Sequence, residues 1–161
     1  KPSQESTNTM RAFAIVNPGD TKGQLVDLPI PELEAGFALI RVLRAGVCNT
    51  DLEILQGYMG FTGVLGHEFV GIVEKVAEDV DETTRQTWMG KRVCGDINVG
   101  CATCHVCCNT QQLDTYCSQL SRNHCPNRTV LGILKRNGTM AEYLTLPVRN
   151  LHLVPEDIPD E

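Results

Sequence analysis

Gly66-His67-Glu68-Phe69-Val70-Gly71-Ile72-Val73 sets a polar opening directly against an apolar run. Phe69–Val73 has the length and the β-branched content of a strand, and His67 stands at its mouth. The same signature recurs in both directions along the chain. Upstream, Arg11–Val16 is apolar and closes at Asn17-Pro18-Gly19-Asp20, a strong turn signal. Gln24–Leu28 reads as a second short strand, ended by Pro29 and Pro31, neither of which suits the middle of a sheet. Phe37–Ala45 is a longer apolar run interrupted by Arg41 and Arg44, so one edge of it must reach solvent. Downstream, Lys91–Ile97 reads as a strand, and Ala141–Leu146 alternates cleanly until Pro147. One short helix begins at Asn49 or Thr50 and carries Leu52, Ile54 and Leu55 toward Gly57. Asp51 and Glu53 fall in its first turn, where the helix dipole favours carboxylates. Asp79–Thr87 is charged and reads as loop or a turn of helix. Many short strands punctuated by Gly and Pro make the fold class mainly β, a barrel or sandwich with minor α. No Gly-x-Gly-x-x-Gly follows a strand, so the chain carries no dinucleotide fingerprint.

The length of 161 residues suits one domain with its own core, expected over 10–161 after a flexible polar lead-in at 1–9. A net charge of −6 with no basic stripe argues against a nucleic-acid partner. No apolar run approaches the roughly 20 residues of a membrane-spanning helix. The eight cysteines are bunched rather than spread as a disulfide framework, which favours a reducing compartment and a metal role.

Cys101-Ala102-Thr103-Cys104-His105-Val106-Cys107 carries the most specific chemistry in the sequence. A loop with C-x2-C-x2-C spacing can turn its sulfurs around one ion, and soft thiolates suit zinc better than oxygen-seeking metals. Cys108, Cys117 and Cys125 follow as further donors. The blander alternatives, a disulfide staple or cysteines filling a core, sit poorly with the bunching. A second constellation is quieter. Cys48 stands where a strand gives way to a helix start, and His67 opens another strand; two such chain ends can converge. Cys plus His begins a zinc site that keeps one position open. Taken singly, His67 reads as a satisfied polar residue and Cys48 as a core cysteine.

Together these motifs resemble a known family. Gly66-His67-Glu68-x-x-Gly71, followed by Ala77 and Val80, resembles the zinc signature of the medium-chain alcohol and polyol dehydrogenases. Cys48-Asn49-Thr50-Asp51 looks like that family's first zinc-ligand motif, and Cys101, Cys104 and Cys107 like its structural zinc lobe. Pro29-Ile30-Pro31-Glu32, Gly90-Lys91-Arg92-Val93 and Gly138-Thr139-Met140-Ala141-Glu142-Tyr143 fall in the family's order.

The resemblance implies a GroES-like, partly open β-barrel with a zinc-binding lobe at about 99–130. It implies the catalytic-domain portion of a zinc-dependent NAD(P) dehydrogenase acting on a small alcohol, aldehyde or polyol. The Rossmann cofactor domain of relatives is not represented here, so this piece alone is expected to be inactive. By similarity Cys48 and His67 are ligands of a catalytic zinc, and Glu68 is an alternative ligand or a neighbour of the ion. Asp51 is expected to hydrogen-bond the other nitrogen of His67; otherwise it is a helix-start carboxylate. Thr50 resembles the hydroxyl that hands off the alcohol proton, the alternative being a helix N-cap. Glu53 stands where some relatives have a relay histidine. In the complete enzyme a zinc-bound alkoxide gives hydride to NAD or NADP. A cytoplasmic or organellar location and a homo-oligomeric full enzyme are also implied, with this domain monomeric. Tyr58, Met59 and Phe61 are candidates for the substrate pocket or for plain packing, and Cys94 for the core.

The lobe departs from the usual C-x2-C-x2-C-x7-C pattern. The expected fourth position falls on Thr115; Cys117 comes two residues late and Cys125 ten. Pro126–Ile133 looks like the segment that follows the fourth cysteine in relatives, which favours Cys125 and makes the intervening residues a surface insertion. Cys117 stays open as the other choice. A rival reading of the whole chain is a non-catalytic GroES-like structural or interaction module keeping only its structural zinc; a zinc-free reductase is disfavoured by the presence of both Cys48 and His67.

Overall fold

Alternation decides where each strand turns its side chains. In β1 (Thr9–Ile15) Met10, Ala12 and Ala14 are buried while Thr9, Arg11 and Phe13 face outward. The computed structural model describes residues 8–108 and 123–159. The further strands are β2 (Gln24–Pro29), β3 (Phe37–Gly46), β4 (Gly63–Val64), β5 (Glu68–Val76), β6 (Arg92–Gly95), β7 (Asn98–Val99), β8 (Thr129–Leu131), β9 (Lys135–Arg136), β10 (Tyr143–Pro147) and β11 (Leu151–Leu153). Among the described residues three short α-helices join them: α1 (Asn49–Leu55), α2 (Glu82–Trp88) and α3 (His105–Cys108).

The strands form sheets in the orders β2-β1-β4, β10-β3-β5-β6-β11 and β7-β8-β9. The five-stranded sheet is antiparallel throughout and ends at β10 and β11 without closing on itself. A bridge between Ala12 and Ala141 ties β1 to the approach of β10. Phe13 N–H donates to Met140 C=O at 2.8 Å and Glu142 N–H to Arg11 C=O at 3.1 Å, extending that seam. The result is a partly open, GroES-like barrel.

Ile40, Val73, Val93, Leu131 and Leu146 are fully buried in the main core. Each contributes about 1.5–3 kcal/mol of hydrophobic stabilisation. A smaller cluster of Ile15, Ile54, Phe61 and Leu65 seats α1 through Ile54. This fixes the helix start beside the end of β3.

The structure shifts several expected boundaries. β1 opens at Thr9, inside the expected lead-in, because Asn8 C=O accepts from Ile30 N–H at 3.1 Å; residues 1–7 lie outside the described part. Lys91–Ile97 is not one strand. It breaks after Gly95, where Asp96 Oδ1 accepts from Asn98 N–H at 2.8 Å and turns the chain into β7. The 79–87 stretch is mostly helix, capped by Asp81, whose Oδ1 accepts from Thr84 N–H at 2.9 Å. Pro29 is the last residue of β2, an edge strand, where its missing N–H costs no ladder bond. No helix among the described residues is long and apolar enough to cross a membrane.

Candidate metal centres

β3 ends at Gly46, and the extended Cys48 caps α1. Asp51 then binds two separate stretches of chain. Its Oδ2 accepts from Cys48 N–H at 2.9 Å and its Oδ1 from Gly66 N–H at 3.0 Å. With 2% of its surface exposed, this carboxylate holds the helix start against the turn that carries His67. That turn is fixed from its other side. Gly138 N–H donates to Val64 C=O at 2.8 Å, Met140 N–H to Leu65 C=O at 2.9 Å and Thr139 N–H to Gly66 C=O at 3.0 Å. The contact is so close that a Cβ at Gly138 would lie 2.1 Å from Gly66 O and 2.4 Å from Leu65 O.

The outcome is a convergence of donors. One ligand atom from each of Cys48, His67 and Glu68 lies within 4.8 Å of the others. His67 is 9% exposed, and its Nδ1 is buried 3.6 Å from Asp51 Oδ1, with no hydrogen-bond partner. An orphaned buried ring nitrogen facing a carboxylate is the arrangement that leaves the other nitrogen free to ligate. Thr50 Oγ1 is 3.8 Å from Cys48 Sγ, so its hydroxyl borders the donor set. Thr50 is not the helix cap; Cys48 holds that position. Glu53 faces solvent, where its Oε1 accepts from Asn49 Nδ2 at 3.0 Å. A sulfur, an imidazole and a carboxylate suit zinc and leave room for an exchangeable fourth partner.

The second centre is made of sulfur alone. Cys101, Cys104, Cys107 and Cys125 offer sulfurs all within 4.8 Å of one another. Cys104 Sγ and Cys125 Sγ are 3.7 Å apart. That is far beyond a disulfide bond of about 2.05 Å. Four sulfurs at about 2.3 Å from one tetrahedral ion are about 3.8 Å apart, so the spacing fits a shared zinc. Backbone donors point at the sulfurs: Cys104 N–H at 3.3 Å from Cys101 Sγ, and Cys101 N–H at 3.4 Å from Cys125 Sγ. The Thr103 hydroxyl, 3.5 Å from Cys101 Sγ, and the N–H groups of Thr103 and Cys104 pull the Cys101 thiol down to about 5. Burial pushes the Cys107 thiol up to about 12, so its thiolate needs a cation beside it. Cys108 is exposed and outside the cluster. Cys117 and most of the expected insertion lie outside the described residues. Arg149 Nη2 donates to Gly100 C=O at 3.0 Å, clamping the lobe's first cysteine to the barrel.

Of the expected pocket residues, Phe61 is core packing, while Tyr58 and Met59 stand half exposed. Cys94 is only partly buried. Asn150 escaped the sequence reading altogether. It is buried, and its Nδ2 donates to Asp96 O at 2.8 Å and Asn98 O at 2.9 Å, holding the turn into the lobe. No sequence pattern marks it, because its partners are backbone carbonyls.

An open barrel bearing one all-thiolate cluster and one Cys/His/Glu cluster defines a β-barrel domain with two donor sets able to hold a metal ion. More narrowly, the chain belongs to the alcohol dehydrogenase GroES-like domain family, whose model matches residues 34–156. It is 34% identical over 141 residues to an L-threonine 3-dehydrogenase of Anaeromyxobacter sp. strain K, covering 84% of this chain and 36% of that protein. It is 38% identical over 144 residues to the L-threonine 3-dehydrogenase of Streptomyces avermitilis, covering 83% and 37%. The chain thus spans little more than a third of the length of these relatives. Among solved structures, a short chain alcohol dehydrogenase (rspB) of Escherichia coli CFT073 complexed with NADH matches at TM-score 0.75 and 29% identity, over 95% of this chain and 40% of that one. A cobalt- and zinc-bound thermostable alcohol dehydrogenase of Pyrobaculum aerophilum matches at TM-score 0.70 and 27% identity, over 92% and 42%.

Proposed function

We propose that this chain is the zinc-bearing catalytic part of an NAD(P)-dependent alcohol dehydrogenase, with Cys48 and His67 as protein ligands of a catalytic zinc and Glu68 as an exchangeable one. The observation that carries this reading is the convergence of the Cys48, His67 and Glu68 donors beside the orphaned His67 Nδ1. A zinc held there supplies Lewis-acid polarisation, lowering the pKa of a substrate hydroxyl toward neutrality. The chain's residues do the rest. Asp51, 3.6 Å from Nδ1 and not hydrogen-bonded to it, faces one side of the imidazole, and Nε2 is the nitrogen assigned to the zinc. Thr50 Oγ1, beside Cys48 Sγ, relays the proton leaving the hydroxyl, accepting it as its own hydroxyl proton passes on to water. The hydride on the same carbon goes to a nicotinamide ring held outside this domain. Cys101, Cys104, Cys107 and Cys125 hold a second, closed zinc whose role is to shape the lobe.

The relatives named L-threonine 3-dehydrogenase make L-threonine the first substrate to test, ahead of simple secondary alcohols and polyols. A cytoplasmic location accords with the free thiols of the described cysteines. A homo-oligomeric complete enzyme, assembled mainly outside this domain, completes the reading. The test is zinc counting on the full-length protein before and after mild chelation, with NAD(P) reduction followed on each substrate. Two zincs, one labile and lost in His67→Ala together with turnover, support the proposal. A single zinc indifferent to His67→Ala would refute it.

A further inference from the structure

We infer that Gly46 is a positioning residue for the Glu68 carboxylate: the missing side chain at Gly46 is the space through which Glu68 reaches the Cys48–His67 donor set. The inference rests on the metal-site reading above and goes beyond it in assigning a residue that bears no donor. Gly46 and Glu68 face each other at the last register position of the β3–β5 ladder. A Cβ at Gly46 would lie 2.3 Å from Glu68 Oε2 and 3.0 Å from Glu68 Cβ. No other residue type has room there while the carboxylate keeps its place.

Backbone torsion does not explain this glycine, because Gly46 is not among the residues with positive φ. Glycine within a strand weakens it relative to alanine. A glycine in such a place marks a close approach rather than a turn. Here the approaching group is the exposed carboxylate of a residue whose backbone is pinned: Thr139 Oγ1 donates to Glu68 O at 3.2 Å. The backbone therefore cannot give way, but the flexible end of the side chain can. A methyl group at residue 46 drives the carboxylate out of its place within 4.8 Å of the Cys48 and His67 donors, and the fold survives because the side-chain end, not the strand, gives way.

The test uses cobalt(II) loaded into the full-length protein after selective removal of the labile metal, read by the visible spectrum and by competition with a chromogenic chelator. Thermal unfolding checks that each variant is folded. Glu68→Ala is expected to weaken metal retention about tenfold and to change the cobalt bands. Gly46→Ala should reproduce both effects. In the Glu68→Ala background, Gly46→Ala should add no further loss, since the carboxylate it displaces is gone. Wild-type retention and spectrum in Gly46→Ala overturn the inference, and so does a loss that persists undiminished in the double variant. Should Gly46→Ala fail to fold while the double variant folds and binds like Glu68→Ala, the conflict with the Glu68 side chain stands. If both unfold, Gly46 serves the strand and the inference is wrong. Cys48→Ser tests the underlying metal site separately: metal lost there but kept in Glu68→Ala overturns the role of Gly46 alone, whereas metal kept in Cys48→Ser overturns the site itself.

Discussion

Asp51 and His67 face each other across 3.6 Å, carboxylate Oδ1 to ring Nδ1, in a site where neither is open to water. The gap is slightly longer than a hydrogen bond, and the same Oδ1 already accepts from Gly66 N–H. Asp51 thus holds the turn before His67 as firmly as it faces the ring. One carboxylate couples the helix that presents Cys48 to the strand mouth that presents His67.

Replacing Asp51 with Asn tests that coupling. An amide has one acceptor oxygen, so it cannot take both the Cys48 and Gly66 N–H groups on separate oxygens, and its NH2 meets a backbone donor. Stability should fall by about 1–3 kcal/mol in urea denaturation. Affinity for the labile metal should fall about 10–100-fold, measured by chelator competition. Unchanged affinity would reduce Asp51 to a helix-start carboxylate.

The turn itself depends on glycines far away in sequence. Gly138→Ala places a methyl group against the carbonyls of Gly66 and Leu65, both backbone atoms that cannot rotate aside. The expected loss is about 1–3 kcal/mol or more by chemical denaturation. Gly36→Ala has open space around its Cβ but a φ of +75°, so it should lose only about 1–2 kcal/mol. Gly138 has no positive φ, so its loss can come only from contact, and a negligible loss in Gly138→Ala would overturn the steric account.

The strands were legible where one face is core: Phe69–Val73 and Ala141–Leu146 needed only apolar content or alternation, and both lie within observed strands or nearly so. The zinc-type spacing of Cys101, Cys104 and Cys107 was legible because its loop is local. Contacts set by register were not. The irregularities between Leu39 and Ile40 and between Val42 and Arg44 cancel, so Gly46 meets Glu68 in the register set by Ala38 and Val76, a pairing that no periodicity within one strand reveals. Asp96 has the sequence surroundings of a strand residue, but its side chain accepts from Asn98 N–H and ends the ladder. The convergence of Cys48 and His67 came from family likeness rather than spacing, since either residue alone has a plainer reading.

Acid should weaken the seam between β1 and β10 in a defined window. Glu142 accepts from Arg11 N–H at 2.8 Å and from the Arg11 guanidinium at 3.0 and 3.2 Å. These contacts hold its carboxyl below the usual carboxylate range, the backbone bond first. A depressed folded pKa gives stability that is present above the unfolded value of about 4.3 and lost as pH falls through the folded one. Glu142→Gln should therefore melt slightly below the wild type at pH 7, with the difference closing below about pH 4. A Tm gap that stays constant from pH 7 to 3 would rule out the carboxylate charge as its source.

The thiolate lobe gives the sharpest contrast among chemically identical substitutions. Cys125 Sγ lies 3.7 Å from Cys104 Sγ and receives the Cys101 N–H, while Cys108 is exposed and outside the cluster. Cys125→Ser replaces a soft thiolate with a hydroxyl that ligates zinc poorly, leaving three sulfurs crowded without their ion. That variant should lose the chelation-resistant zinc and a large part of the lobe's stability, seen by metal counting and a lowered Tm. Cys108→Ser should keep both. Cys117→Ser should keep both as well if Cys125 completes the site. Loss of the resistant zinc in Cys117→Ser, with retention in Cys125→Ser, would transfer the fourth ligand to Cys117.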